Sequence, residues 1–186
     1  AIFTPQEAPS ERPPSRAPPR PARQPSPPHP ERNRMIEARL AELGITLPEP
    51  AAPVASYVAT VETGGLLYIS GQVSFVDGKL MTGKVGDTRS EEEGVLAAQG
   101  CGLMLIAQMK KALGSLDRVE RIVKLGAFIA STPDFTAQPK VANGASDLME
   151  AVFGDAGKHA RSAVGVPVLP LDSTVEIDAI VAVKPA

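Results

Sequence analysis

Two charged residues stand on otherwise apolar, strand-like sequence near the end of the chain. Arg161 lies in HARSAVGV (159–166), and Glu176 follows fifteen residues later in VEIDAIV (175–181). A core strand needs neither charge. Arginine presents a planar fork of N–H donors that matches a carboxylate. Flanked by Ala160, Ala163 and Val164, Arg161 should lose part of its water. That suits an anionic ligand, and it suits equally well a structural ion pair with Glu176 or Asp178. A glutamate on such a strand can also shuttle a proton, because burial raises its pKa toward neutrality.

Other chemistries have thin support. The only histidines are His29 and His159, with one cysteine, Cys101, and no HxxxH or CxxC spacing, so the sequence predicts no metal site and calls for no cofactor. GDAGKHA (154–160) has a Gly-Lys pair without the earlier glycine or the following Ser/Thr of a phosphate loop. Cys101 falls on the apolar stripe of a helical segment and reads as a small buried hydrophobe. A Ser-His-Asp set could be drawn from Ser70, His159 and Asp178, but nothing in the spacing demands it.

The charge balance narrows the partners. The 186 residues carry a net charge of −2, split between +3 on residues 1–34 and −5 on residues 35–186. Nucleic acid and anionic membrane are therefore not expected as partners. No apolar run approaches the ~18 residues of a membrane span, the lone cysteine fits a reducing compartment, and no secretory h-region is present. The expectation is a cytoplasmic protein.

Eleven of the nineteen prolines fall in residues 1–34. Proline fixes φ and removes a backbone donor, so this segment is expected to be disordered with polyproline II character, either a spacer or a docking ligand. A single folded domain is expected over 35–186. MIEARLAELG predicts a short helix, and YVATVET and LLYISGQVSF predict a hairpin about Gly64–Gly65. FVDGKLM adds a small hairpin at Asp77–Gly78. Ser90 and Glu93 form a capping-box pattern ahead of a helix to Leu113, with Lys110 and Lys111 suited to its C-terminal dipole and Gly114 as the stop. A strand over 118–131, a helix to Phe153 and strands at 160–166 and 174–183 complete an α+β order. In the last strand Val175, Ile177, Ala179, Val181 and Val183 alternate with Glu176, Asp178, Ile180 and Ala182, so both faces are mostly apolar. With helices on one face only, the other face must meet a partner, most simply another copy.

Together YISGQV (68–73), FVDGKL (75–80), KKALGSLDRVERIVK (110–124), HARSAVGV and VEIDAIV resemble the RidA/YjgF family of enamine/imine deaminases, over about residues 50–184. The resemblance implies a chorismate mutase-like fold of the trimeric type: a six-stranded sheet, two main helices on one face, and sites in clefts between the subunits of a homotrimer. It implies that Arg161 clamps a substrate carboxylate and that Glu176 positions or activates the hydrolytic water. Tyr57, Ser70 and Gly71 would line the cleft. The cysteine that often lies two residues beyond the arginine is Ala163 here. The family's cleft-lining asparagine corresponds to Asn143 with a gap or to Ser146 without one. The implied reaction is cofactor-free hydrolysis of a 2-imino acid to a 2-keto acid and ammonium. A non-catalytic carboxylate-binding trimer is the alternative, although retention of both Arg161 and Glu176 favours an enzyme. Ribonuclease and chorismate mutase activities fit less well, given the acidic folded part and the single clear arginine.

Overall fold

The structure is a computed structural model and is described for residues 35–50 and 56–185. The expectations for residues 1–34 lie outside the described residues. Helix α1 (Met35–Glu42) is followed by an extended crossing and then by strands β1 (Thr60–Thr63) and β2 (Leu66–Val73). Gly64 and Gly65 have φ of 58° and 76°, the left-handed pair that a two-residue hairpin needs. Strands β3 (Phe75–Val76) and β4 (Lys79–Leu80) pair about Asp77–Gly78. Helix α2 (Glu91–Leu113) begins at a complete capping box: the Glu93 N–H donates to Ser90 Oγ at 3.1 Å, and the Ser90 N–H donates to the Glu93 carboxylate at 2.9 Å. It stops at Gly114, whose φ is 74°. Strand β5 (Val119–Ala130), helix α3 (Gln138–Phe153), strand β6 (Ala160–Val166) and strand β7 (Val175–Val183) follow.

The main sheet has the order β1-β2-β7-β5-β6. All pairings are antiparallel except β5–β6, which is parallel and has α3 as its crossover. The chorismate mutase-like fold holds, but the sheet contains five strands rather than six. The reason lies at Ser74. Its hydroxyl bonds to Ser173 Oγ at 2.9 Å and to the Met81 carbonyl at 3.0 Å. The chain therefore leaves the sheet after Val73, and the β3–β4 hairpin packs on α2, where Phe75 lies so close that Gly100 leaves no room for a Cβ.

Helices α2 and α3 cover one face of the sheet, and α1 packs behind them. Val175, Ile177, Ala179, Val181 and Val183 point into this layer and are buried. The middle of α2 is buried on nearly every side, including Ala98, Cys101, Leu105 and Ile106. α3 approaches it at backbone contact, because a Cβ on Gly144 would collide with the Val95 carbonyl. No helix of the described residues covers the opposite face. There Tyr68 and Val164 remain 42% and 46% exposed, alongside half-buried Ile180, Ala182 and Phe128.

Candidate active site

Arg161 and Glu176 lie on opposite faces of the same sheet. Arg161 is paired in register with Leu125, which lies opposite Ala179, and both of these are buried beneath the helices. Its side chain therefore rises on the covered side, at the outer edge of the sheet, against α3. Glu176 is paired with Phe128, which lies opposite Val164 on the open side. Within one chain the two charges do not meet, and the ion pair considered from sequence does not form.

Instead α3 holds the guanidinium. Nη1 donates to Asn143 Oδ1 at 2.9 Å and to Ser146 Oγ at 2.8 Å, and Nη2 donates to the Pro139 carbonyl at 3.0 Å. The two family-derived alternatives, Asn143 and Ser146, are thus both used. Pro139, Asn143 and Ser146 recur at helical spacing on one side of α3, a pattern that could have grouped them in the sequence. All three acceptors are neutral. Among the described residues no carboxylate lies within ion-pair distance of Arg161. Three of its five N–H donors are used, which leaves two.

Beside this cluster is a cleft of about 440 Å³ lined by Ser146, Asp147, Glu150, Gly157, Lys158, His159 and Arg161. A larger groove of about 620 Å³ runs between α1 and α2 but contains none of the candidate residues. His159 belongs to the arginine cluster, which the sequence did not reveal. Its Nε2 is 3.0 Å from Ser146 Oγ, and its Nδ1 is 2.6 Å from the Gly157 carbonyl.

The second group forms around a bulge. Between the pairs Ile69–Ala179 and Gln72–Ile177, β2 advances one residue more than β7, and the extra length falls at Ser70–Gly71. The Glu176 carboxylate lies over Gly71, where any Cβ would collide with Oε1. Ser70 turns away and donates from Oγ to the Val58 carbonyl at 2.8 Å. Its N–H donates to the Ala59 carbonyl at 3.0 Å, which ties the segment carrying exposed Tyr57 to the bulge. Desolvation raises the Glu176 pKa, and the neighbouring Asp178 charge raises it further. Asp178 repeats the arrangement one step along: its carboxylate lies 2.6 Å from where a Cβ of Gly126 would be.

Ser70, His159 and Asp178 do not assemble into a triad. His159 sits under α3, Asp178 is on the open face, and Ser70 bonds to backbone. Cys101 is fully buried and donates to the Val175 carbonyl at 3.4 Å. Burial pushes its thiol pKa well up, so it is no nucleophile. Among the described residues no cluster of three His, Cys, Asp or Glu could hold a metal ion, and no helix is long and apolar enough to cross a membrane.

Comparison with known proteins agrees with this architecture. The model of the family described as "YjgF/chorismate_mutase-like, putative endoribonuclease" matches residues 37–182. This chain belongs to the YjgF family. Protein TCP17 of Trypanosoma cruzi is 51% identical over 148 residues, which covers 78% of this chain and 92% of that one. The crystal structure of Atu1372, a protein of unknown function from Agrobacterium tumefaciens, superposes with a TM-score of 0.75 at 45% identity, covering 83% of this chain and 96% of that one. The 2-iminobutanoate/2-iminopropanoate deaminase of Dermatophagoides farinae is 27% identical, covering 75% of this YjgF-family chain and 95% of that protein. The family thus includes a protein named as an imine deaminase.

Proposed function

We propose that this protein hydrolyses small 2-imino acids to 2-keto acids and ammonium, in sites assembled between copies of the chain. The observation that carries the proposal is Arg161: it is fixed by three neutral acceptors, has no carboxylate partner among the described residues, and keeps two donors for a ligand. A guanidinium held this way is arranged for an external carboxylate. Membership of a family with a named imine deaminase supplies the reaction class.

In a 2-imino acid the carboxylate is bonded directly to the carbon that water attacks. A group that clamps the carboxylate and a group that activates the water must therefore face the same few ångströms. Arg161 and Glu176 of one chain point to opposite sides of a sheet, so a shared substrate needs Arg161 from one copy and Glu176 from the next. The uncovered sheet face, with Tyr68, Phe128, Val164 and Ile180, supplies apolar surface for that association. A homotrimer follows from the family resemblance.

In the reaction, Glu176 accepts a proton from water as the oxygen bonds to C2 of the protonated imine. Glu176 then returns that proton to the carbinolamine nitrogen. As the C–N bond breaks and the C=O forms, the hydroxyl proton passes to Glu176 and on to the released ammonia, which leaves as ammonium. One imine and one water are consumed, and no electrons change hands. A carboxylate with a raised pKa is a better base near neutral pH than an ordinary one. Imines already hydrolyse in water, so orientation and charge stabilisation suffice. A ribonuclease reading has less support, because residues 35–186 carry a net charge of −5 and phosphate contacts need clustered Lys and Arg.

The test is a coupled assay in which an amino-acid oxidase generates 2-iminopropanoate or 2-iminobutanoate and imine loss is followed with and without the protein. Faster decay that is abolished in Arg161→Ala supports the proposal. No acceleration over buffer by the folded protein, for either imine, would rule it out.

A further inference from the structure

His159 makes no hydrogen bond to Arg161 itself, yet it completes the set of bonds that fixes the arginine. The Gly157 carbonyl can only accept, so at 2.6 Å the His159 Nδ1 must carry the proton. In the neutral ring this leaves a lone pair on Nε2, which faces Ser146 Oγ at 3.0 Å. The Ser146 hydroxyl then donates to His159 and turns its own lone pairs toward Arg161 Nη1, 2.8 Å away. Each hydrogen has one acceptor, and the chain of bonds runs in one direction: Arg161 to Ser146, Ser146 to His159, His159 to the Gly157 carbonyl.

We propose that His159 is the positioning residue for the Arg161 clamp and acts through Ser146. This rests on the carboxylate-clamp reading above. Without the imidazole the Ser146 hydroxyl is free to rotate, and its hydrogen can point toward the guanidinium it now accepts from. One of the two side-chain acceptors that aim Nη1 is then lost for part of the time. The remaining holders, Asn143 Oδ1 and the Pro139 carbonyl, keep the arginine on α3 but fix its plane less closely. The ligand carboxylate meets that plane, so the effect belongs to substrate binding rather than to the chemical step.

The experiment compares wild type, His159→Leu, His159→Gln and Ser146→Ala in the imine assay, with melting temperatures measured beside it. His159→Leu is expected to raise KM about tenfold and leave kcat within about twofold, the signature of lost binding alignment. His159→Gln keeps an acceptor for the Ser146 hydroxyl and is expected to restore most of the loss. If the effect travels through Ser146, the double variant His159→Leu/Ser146→Ala binds no worse than Ser146→Ala alone. A lowered melting temperature with unchanged KM in His159→Leu would overturn the inference, as would full additivity in the double variant. If His159→Leu does not fold, the ¹⁵N spectrum of the wild-type ring decides. A proton on Nδ1 with an accepting Nε2 supports the relay, and the opposite tautomer overturns it.

The deaminase reading is separated by a binding arm. Wild type that binds 2-oxobutanoate by calorimetry without hydrolysing imines removes only the catalytic reading, and the same tenfold comparison is then made in Kd. Wild type that binds no carboxylate and hydrolyses no imine overturns both.

Discussion

The two halves of the candidate site are built by opposite strategies. On the helix-covered side, Arg161 is held by three hydrogen bonds from one face of α3, with a fourth partner, His159, behind Ser146. On the open side, the Glu176 carboxylate has neither a hydrogen bond nor an ion pair among the described residues. It lies over the bare backbone of Gly71, beside a second carboxylate that disfavours its charge. Arg161 is thus preorganised within a single chain, whereas the Glu176 carboxylate is held by exclusion: a glycine makes the space and a partly desolvated sheet surface raises the pKa. Where hydrogen bonds fix a group, small changes in the fixing residues should alter binding. Where a group is only given room, changes in that room should alter turnover.

The sharpest way to break this contrast is to disable one half at a time and then mix. Arg161→Ala is expected to lower kcat/KM a hundredfold or more (about 3 kcal/mol or greater), chiefly through KM. Glu176→Gln is expected to lower kcat about a hundredfold or more with little change in KM, since it removes the base and leaves the clamp. Denaturing and reassembling the two variants together should restore activity. With equal amounts and random assembly, about one site in four has both an intact arginine and an intact glutamate from neighbouring copies. Mixing that restores nothing, from oligomers shown to exchange subunits, would mean that the site lies within one chain.

Next in size is the space itself. Gly71→Ala puts a methyl where Glu176 Oε1 now sits. The carboxylate must rotate out, and kcat is expected to fall by about tenfold or more while the overpacking costs about 1–3 kcal/mol of stability. Equal kcat in a folded Gly71→Ala protein would show that the observed Glu176 orientation is not the working one. Ala163, on the covered face beside the clamp, offers the contrasting control. Ala163→Cys restores the residue type common in the family and is expected to change kcat by less than about threefold, because the thiol adds neither a needed proton acceptor nor a held donor.

Most of the fold was legible because each signal was local. Gly64–Gly65, the Ser90/Glu93 box, the Gly114 stop and the alternation of Val175 to Val183 each depend on neighbours in sequence, and each appears where expected. The strand count was not legible. Whether β3 continues the sheet depends on Ser74 meeting Ser173, a contact 99 residues apart. The candidate site divides in the same way. Arg161 and Glu176 stood out as charges on apolar strands, but which face each takes depends on register between strands. The Gly71–Glu176 contact depends on a bulge that a Ser-Gly pair permits but does not announce. His159 was invisible as a partner because its contact with Ser146 forms only when β6 packs under α3.

The subtlest prediction concerns charge. Asp178 is two residues from Glu176 on the same open face, and its charge is the second cause, after burial, of the raised Glu176 pKa. In the proposed role Glu176 works as a base only when ionised, so activity is expected to fall as pH drops through that raised value. Asp178→Asn removes the like charge, lowers the Glu176 pKa and should move the acid limb of the kcat profile to lower pH, with the plateau within about threefold of wild type. Stability responds with the opposite sign. A carboxyl whose pKa is higher folded than unfolded stabilises the fold below the unfolded value, and that contribution is lost as pH rises through the folded value. Chemical denaturation of Glu176→Gln across the same range should therefore lack a decline that wild type shows, and Asp178→Asn should narrow it. An acid limb that stays in place in Asp178→Asn would mean that desolvation alone sets the Glu176 pKa. The contrast between a bonded arginine and an unbonded glutamate would then rest on burial without the acidic neighbour.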